Sequence, residues 1–251
     1  IVSEKSGDNA VLTVLTDAET QDYVAALTRM SPDAAQRLDE AAREAIATGA
    51  KKQDVAMLIN ESFNYDLAEI FKRMPSMDVT YVNELIDLSS DAMRQLSSSR
   101  SKWCKAGTYE KMQYMSEKQA MEFGQSFFDY GTPFYTYAVR VNTILFNGVA
   151  DARKSPARYG KLTSSDEAAL QSLMFSMMMD PEVQSLMAMG SGRMNTQALA
   201  RVDLCKLGLA GIDAVAKLPN ETKGRLWAEG MRQIDSGEIT KQLQGLQMSA
   251  F

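Results

Sequence analysis

Between Val55 and Met74 the side chains Val55, Leu58, Ile59, Phe63, Leu67, Ile70, Phe71 and Met74 recur at spacings of three and four residues. That spacing decides the class of fold. A helix returns to the same face about every 3.6 residues and a strand every second residue, so these side chains share one face only on a helix. The pattern predicts a helix over about 53–74, stopped by Pro75. The same periodicity carries Val82, Leu85, Ile86, Met93 and Leu96 through a helix over about 79–98. No segment shows the sustained Val, Ile and Thr alternation of a strand. The expected class is all-α, a compact multi-helix bundle of roughly eight to ten helices with little or no β-structure.

Start and stop signals punctuate the rest of the chain. Val11, Leu12, Val14 and Leu15 form a short apolar stretch, either extended or leading into the first helix. Thr16-Asp17-Ala18-Glu19 reads as a capping box with Thr16 as the cap, opening a helix to about Met30. Ser31-Pro32 opens the next, with Gly49 suited to its C-terminal turn. Ser116 opens a helix that stops at Gly131, and Thr132-Pro133 starts one running to about Ala150. The polar, basic segment 153–161 reads as a linker. Further helices are expected at about 165–179, 181–189, 195–217 and 220–235, started by Ser164 to Glu167, Asp180-Pro181 and Asn220. A short helix is expected after Gly237. Residues 1–251 read as one helical domain, with a two-lobe division near 151–163 as the alternative.

Composition narrows the chemistry. The sequence holds no histidine, which removes Ser-His-Asp and Cys-His catalysis and most zinc sites. Its net charge of −5 includes no basic surplus of the kind that binding a phosphate backbone needs, so nucleic acid is not an expected partner. No apolar run approaches the roughly 18–20 residues of a membrane span. The chain opens on Ile1 rather than Met, and the expectation is a processed or trimmed product, with removal of a signal peptide or anchor as one route to it and no such segment in the sequence itself. No nucleotide loop or cofactor motif is present: Gly190-Ser191-Gly192-Arg193 lacks the strand and the lysine and reads as a hinge. Neither a cofactor nor a metal is expected.

Three groups of residues stand out as candidate sites. Cys104 and Cys205 are the two cysteines, and they read either as a disulfide from an oxidising compartment or as two separate buried thiols. Met174, Met177, Met178 and Met179, followed by Met187, Met189 and Met194, read either as a pliable apolar groove or as a core stripe with Leu170 and Leu173. The stretch Met178-Met179-Asp180-Pro181-Glu182-Val183-Gln184-Ser185-Leu186-Met187 resembles the short helices of the heat-shock-associated client-binding repeat, in which an Asn/Asp-Pro start is followed by Met and Leu. The third group is aromatic: Phe123, Phe127, Phe128, Tyr130, Phe134, Tyr135, Tyr137 and Phe146 form either a contact surface or the inside of a helix pair. Glu61, Asp66, Glu69, Asp87 and Asp91 are the carboxylates from which an acid–base pair would have to be drawn.

The function expected from these residues is that of a non-enzymatic helical binding or scaffolding protein for a protein, peptide or other apolar ligand. Its contact residues would be Phe127, Phe128, Tyr130, Phe134, Tyr135, Met177, Met178 and Met187. A carboxylate-dependent hydrolase of a polymer such as cell-wall glycan is the alternative from another class, and a chaperone-like holder of apolar segments is a third. The expected location is periplasmic or otherwise extracytoplasmic, with the cytoplasm as the alternative.

Overall fold

The structure, a computed structural model, describes residues 9–110, 115–190 and 202–235, and among these it is helical without a single strand. The all-α expectation holds. In chain order the helices are α1 (Ala10–Val14), α2 (Ala18–Met30), α3 (Pro32–Ala47), α4 (Lys52–Ser62), α5 (Leu67–Arg73), α6 (Val79–Ser98) and α7 (Ala106–Glu110). They continue with α8 (Glu117–Gln125), α9 (Pro133–Lys154), α10 (Ser164–Met178), α11 (Pro181–Gly190), α12 (Leu204–Ala216) and α13 (Asn220–Asp235). Short 3-10 turns cover Phe63–Asp66, Met74–Ser76, Lys102–Cys104 and Ser126–Phe128.

The caps explain most boundaries. Ser31 Oγ accepts from the Ala34 N–H ahead of Pro32, and α3 ends two residues before Gly49, whose φ of +91° favours glycine. Gly131, at φ +81°, and Thr132, which accepts from the Tyr135 N–H, separate the preceding turn from α9. At α2 the cap is Asp17 rather than Thr16: Asp17 Oδ1 accepts from both the Thr20 N–H and the Thr20 hydroxyl. A carboxylate is the stronger acceptor at a helix N-terminus, so it wins the position. At α10 the box is Thr163 with Asp166, one residue earlier than Ser164. α9 runs to Lys154, past Ala150, because nothing halts it before the residue preceding Pro156, and Arg153 and Lys154 suit its negative end. α12 begins after Asp203, with Val202 non-helical; the part of its expected span before residue 202 and the tail after Gly237 lie outside the described residues.

The expected helix over 53–74 is broken in the middle. The carbonyl of Ile59 accepts from the Tyr23 hydroxyl at 3.0 Å and from Ser62 Oγ at 2.8 Å. The Phe63 N–H, which would have bonded that carbonyl, turns to Glu61 instead, and a 3-10 turn follows. Side-chain hydroxyls that compete for helix carbonyls break the i to i−4 ladder in this way.

The chain divides into two compact units. The first comprises Ile1–Tyr81, Phe127–Arg158 and Trp227–Phe251; the second comprises Val82–Ser126 and Tyr159–Leu226.

In the first unit α2 lies along α9, α3 packs on α2 and α4, and α5 packs on α9. Tyr23, Leu27, Ile59, Ile70, Val139 and Phe146 are fully buried there. Phe146 meets Tyr23 edge-on at 5.3 Å and stacks with Phe63 at 6.0 Å. A ring buried in this way contributes about 2–3 kcal/mol. Around it Arg29 pairs with Asp151 and donates to Asn147, the Tyr81 hydroxyl donates to Asp151, and Arg153 meets Glu69.

In the second unit α10 and α11 pack on α12, and the 3-10 turn Lys102–Cys104 also rests on α12. Asp213 of α12 accepts from Ser90 and Arg94 of α6. Asp166, buried at the start of α10, accepts from the Thr222 hydroxyl at 2.6 Å and takes a two-pronged guanidinium contact from Arg225 at 2.7 and 3.0 Å. Those hydrogen bonds, with Thr163 adding its N–H, hold the Asp166 carboxyl far below the usual carboxylate range.

Candidate functional site

α10 has two apolar faces, and among the described residues only one of them is covered. Asp166, Leu170, Leu173 and Met177 follow each other at three and four residues and turn inward, with Met177 Cε resting against Gly211 of α12. Met174, Phe175 and Met178 occupy the other side and are 62%, 66% and 43% exposed. Just beyond the helix Met179 is 61% exposed, and Met187 on α11 is 56% exposed. No Lys, Arg, Asp or Glu occurs between residues 168 and 179, so nothing charged interrupts this surface along α10. At the turn into α11, Asp180 is used internally: Oδ1 accepts from the Glu182 N–H at 2.9 Å, and Glu182 in turn pairs with Lys206 at 3.5 Å. Both carboxylates at this edge therefore serve to fix α11.

This divides the methionine candidates. Met178 and Met187 lie on the open surface and Met177 lines the contact with α12. Met174, Phe175 and Met179 belong with the exposed pair, Met174 standing one turn before Met178 on α10. The Met189 side chain and Met194 lie outside the described residues.

The described aromatic candidates differ in burial. Tyr135 is only 3% exposed and Phe146 is buried, so both belong to the interior of the first unit. Tyr130 is half-buried and tied down: its hydroxyl donates to Asp17 Oδ2 at 3.1 Å, its N–H donates to Gln53, and its ring meets Tyr135 at 5.4 Å. Phe134 is half-buried, Phe128 is exposed, and the Phe127 side chain lies outside the described residues. In the second unit Phe123 is half-buried and packs on Trp103, with ring centres 5.7 Å apart.

Cys104 and Cys205 lie at disulfide distance, 2.01 Å between sulfurs, and 101 residues apart in sequence. The backbone brings them together independently. Lys105 and Asp203 form an antiparallel bridge, and the Ala106 N–H donates to the Val202 carbonyl. Asp203 also caps α12, accepting from the N–H groups of Cys205 and Lys206. Cys104, Asp203 and Cys205 are the one grouping of metal-ligating side chains found among the described residues. Both sulfurs are engaged with each other and the carboxylate serves as a helix cap, so the group presents no free thiolate.

The displaced carboxylates among the described residues are all held in the ionised form. Glu69 is held below its ordinary range by its hydrogen bond from Arg73, and Asp151 by the Tyr81 hydroxyl. At Asp17 burial works against ionisation, yet hydrogen bonds from Thr20 and Tyr130 hold the group low. Asp66 pairs with Arg37 and Asp91 with Arg94, while Glu61 and Asp87 are exposed. Among the described residues every displaced carboxylate is displaced towards the anion, whereas a general acid must be displaced the other way.

Fold and site together define an all-α chain with a disulfide-distance cysteine pair and an uncovered methionine–phenylalanine surface. No family model, curated protein or solved structure matches it. No described helix is long and apolar enough to cross a membrane.

Proposed function

We propose that this is a non-enzymatic helical binding protein whose contact surface is formed by Met174, Phe175, Met178, Met179 and Met187. The observation that carries the reading is their exposure along an uncharged stretch of α10 and onto α11. Isolated exposed apolar residues are ordinary, but five large ones on consecutive helices mark a surface that another molecule covers. Thioethers on flexible, unbranched side chains repack around differing shapes, which suits an apolar peptide or the apolar face of a partner's helix. The partner is a protein or peptide. The pairing of both cysteines supports a periplasmic or otherwise extracytoplasmic site of action.

The test is titration of the protein with a fluorescently labelled amphipathic Leu/Lys helix, followed by anisotropy. Met174→Glu with Met178→Glu places two charges on an exposed surface, so the fold should be kept while binding falls by at least about tenfold. Equal binding by the variant and the parent chain would rule this surface out.

A further inference from the structure

The exposed sulfurs of this surface are also its most oxidisable groups. Both cysteines of the sequence are engaged with each other, leaving no free thiol for a two-electron oxidant to consume first. Thioethers are then the sulfur that remains open to reaction. Their exposure differs sharply across the chain. Met30 and Met77 are buried within the first unit and Met177 is directed at Gly211, whereas Met174, Met178, Met179 and Met187 stand in solvent on α10 and α11. Met57 is exposed too, but it stands on α4, away from this cluster in sequence and in the other unit.

We propose that Met174, Met178, Met179 and Met187 form a modification site for peroxides, and that their conversion to the sulfoxide closes the surface to its apolar partner. The gating half of the proposal rests on reading this surface as the contact site. In the step itself a lone pair on the thioether sulfur attacks one oxygen of hydrogen peroxide. The S–O bond forms as the O–O bond breaks, and the departing hydroxide takes the proton of the transferred hydroxyl and leaves as water. Methionine loses two electrons and peroxide gains them. The product is a polar, chiral hydrogen-bond acceptor in place of a flexible apolar group, and sulfoxide reductases specific for each epimer reverse it. Phe175 does not undergo this reaction, so the surface keeps its shape and loses its thioether lining.

The experiment treats the full chain with graded hydrogen peroxide, maps sulfoxide at each methionine by peptide mass spectrometry, and measures binding of the amphipathic Leu/Lys helix on the same samples. The expected result is oxidation at residues 174, 178, 179 and 187 ahead of residues 30, 77 and 177, with affinity falling by at least about tenfold as apolar burial is lost. The variant Met174→Leu, Met178→Leu, Met179→Leu, Met187→Leu keeps an apolar surface without a reactive sulfur and should bind before and after peroxide alike. The variant Met57→Leu should remain as sensitive as the parent. Even oxidation of buried and exposed methionines would overturn the modification site. Loss of binding by the fourfold leucine variant after peroxide would overturn the gate. Absence of binding before any peroxide would overturn the contact reading and the gate with it, while the sulfoxide map would still decide the modification site.

Discussion

Tyr23 and Tyr135 are both buried in the first unit, and they differ in what their hydroxyls meet. The Tyr23 hydroxyl donates to the Ile59 carbonyl and lies 2.7 Å from Ser62 Oγ. The Tyr135 hydroxyl faces the Thr20 side chain, but no partner meets it in good hydrogen-bond geometry. Burial pushes both phenols well above their usual range, so each is neutral and must be valued as a neutral hydroxyl. Removing one partner of a made bond leaves the other unsatisfied, whereas removing an unpaired group relieves a desolvation penalty. Tyr23→Phe should therefore destabilise the protein by about 1–2 kcal/mol, and Tyr135→Phe should be neutral or stabilising by up to about 1 kcal/mol. Denaturant unfolding of the two variants measures both. A loss on Tyr135→Phe as large as that on Tyr23→Phe would mean that the Thr20 side chain serves the hydroxyl after all.

At the scale of elements, glycines at the centres of helices separate packing from propensity. A Cβ on Gly148 of α9 would run into Met77 Cε and stand 3.1 Å from Tyr81 Cγ, and Met77 is fully buried. A Cβ on Gly230 of α13 would meet nothing within 4 Å. Alanine is favoured over glycine in a helix by about 1 kcal/mol, so Gly230→Ala should stabilise by up to that amount. Gly148→Ala gains the same propensity but must displace a buried side chain, and a net loss of about 1–2 kcal/mol is expected. Thermal unfolding should place the two variants on opposite sides of the parent. The same distinction governs what was legible in the sequence. Caps are local chemistry, so Ser31-Pro32, Ser116 and Thr132-Pro133 marked their helices correctly. The break after Ser62 depends on Tyr23, thirty-nine residues away, and no local pattern records it. The methionine surface was legible as a cluster. Its direction was not, because α10 is apolar on both sides and periodicity cannot tell which side α12 will cover. The aromatic cluster was open between surface and core for the same reason: Tyr135 and Phe146 share the composition of an interface, and their burial is decided by α2 lying along α9.

For the whole molecule, the two units differ in charge and in covalent reinforcement. Val82–Ser126 with Tyr159–Leu226 hold thirteen Lys and Arg against thirteen Asp and Glu, while the other unit holds fourteen against nineteen. The net charge of the chain thus resides in the first unit, and the second combines neutrality with the exposed methionines and the cysteine pair. A neutral surface avoids repelling a partner of either sign, but it also lacks the self-repulsion that limits association. Linking Cys104 to Cys205 across 101 residues restricts the unfolded chain, a constraint worth about 3–5 kcal/mol. Because both cysteines lie in the second unit, their loss should act there first. In Cys104→Ala with Cys205→Ala, hydrogen exchange followed by mass spectrometry should show peptides from α10 and α12 losing protection while those from α2 and α9 keep theirs. The backbone bridge between Lys105 and Asp203 remains in that variant, so the second unit should loosen without its local pairing being erased. Equal loss of protection in α2 and α9 would show instead that the chain opens as one cooperative block, with the cysteine pair stabilising all of it.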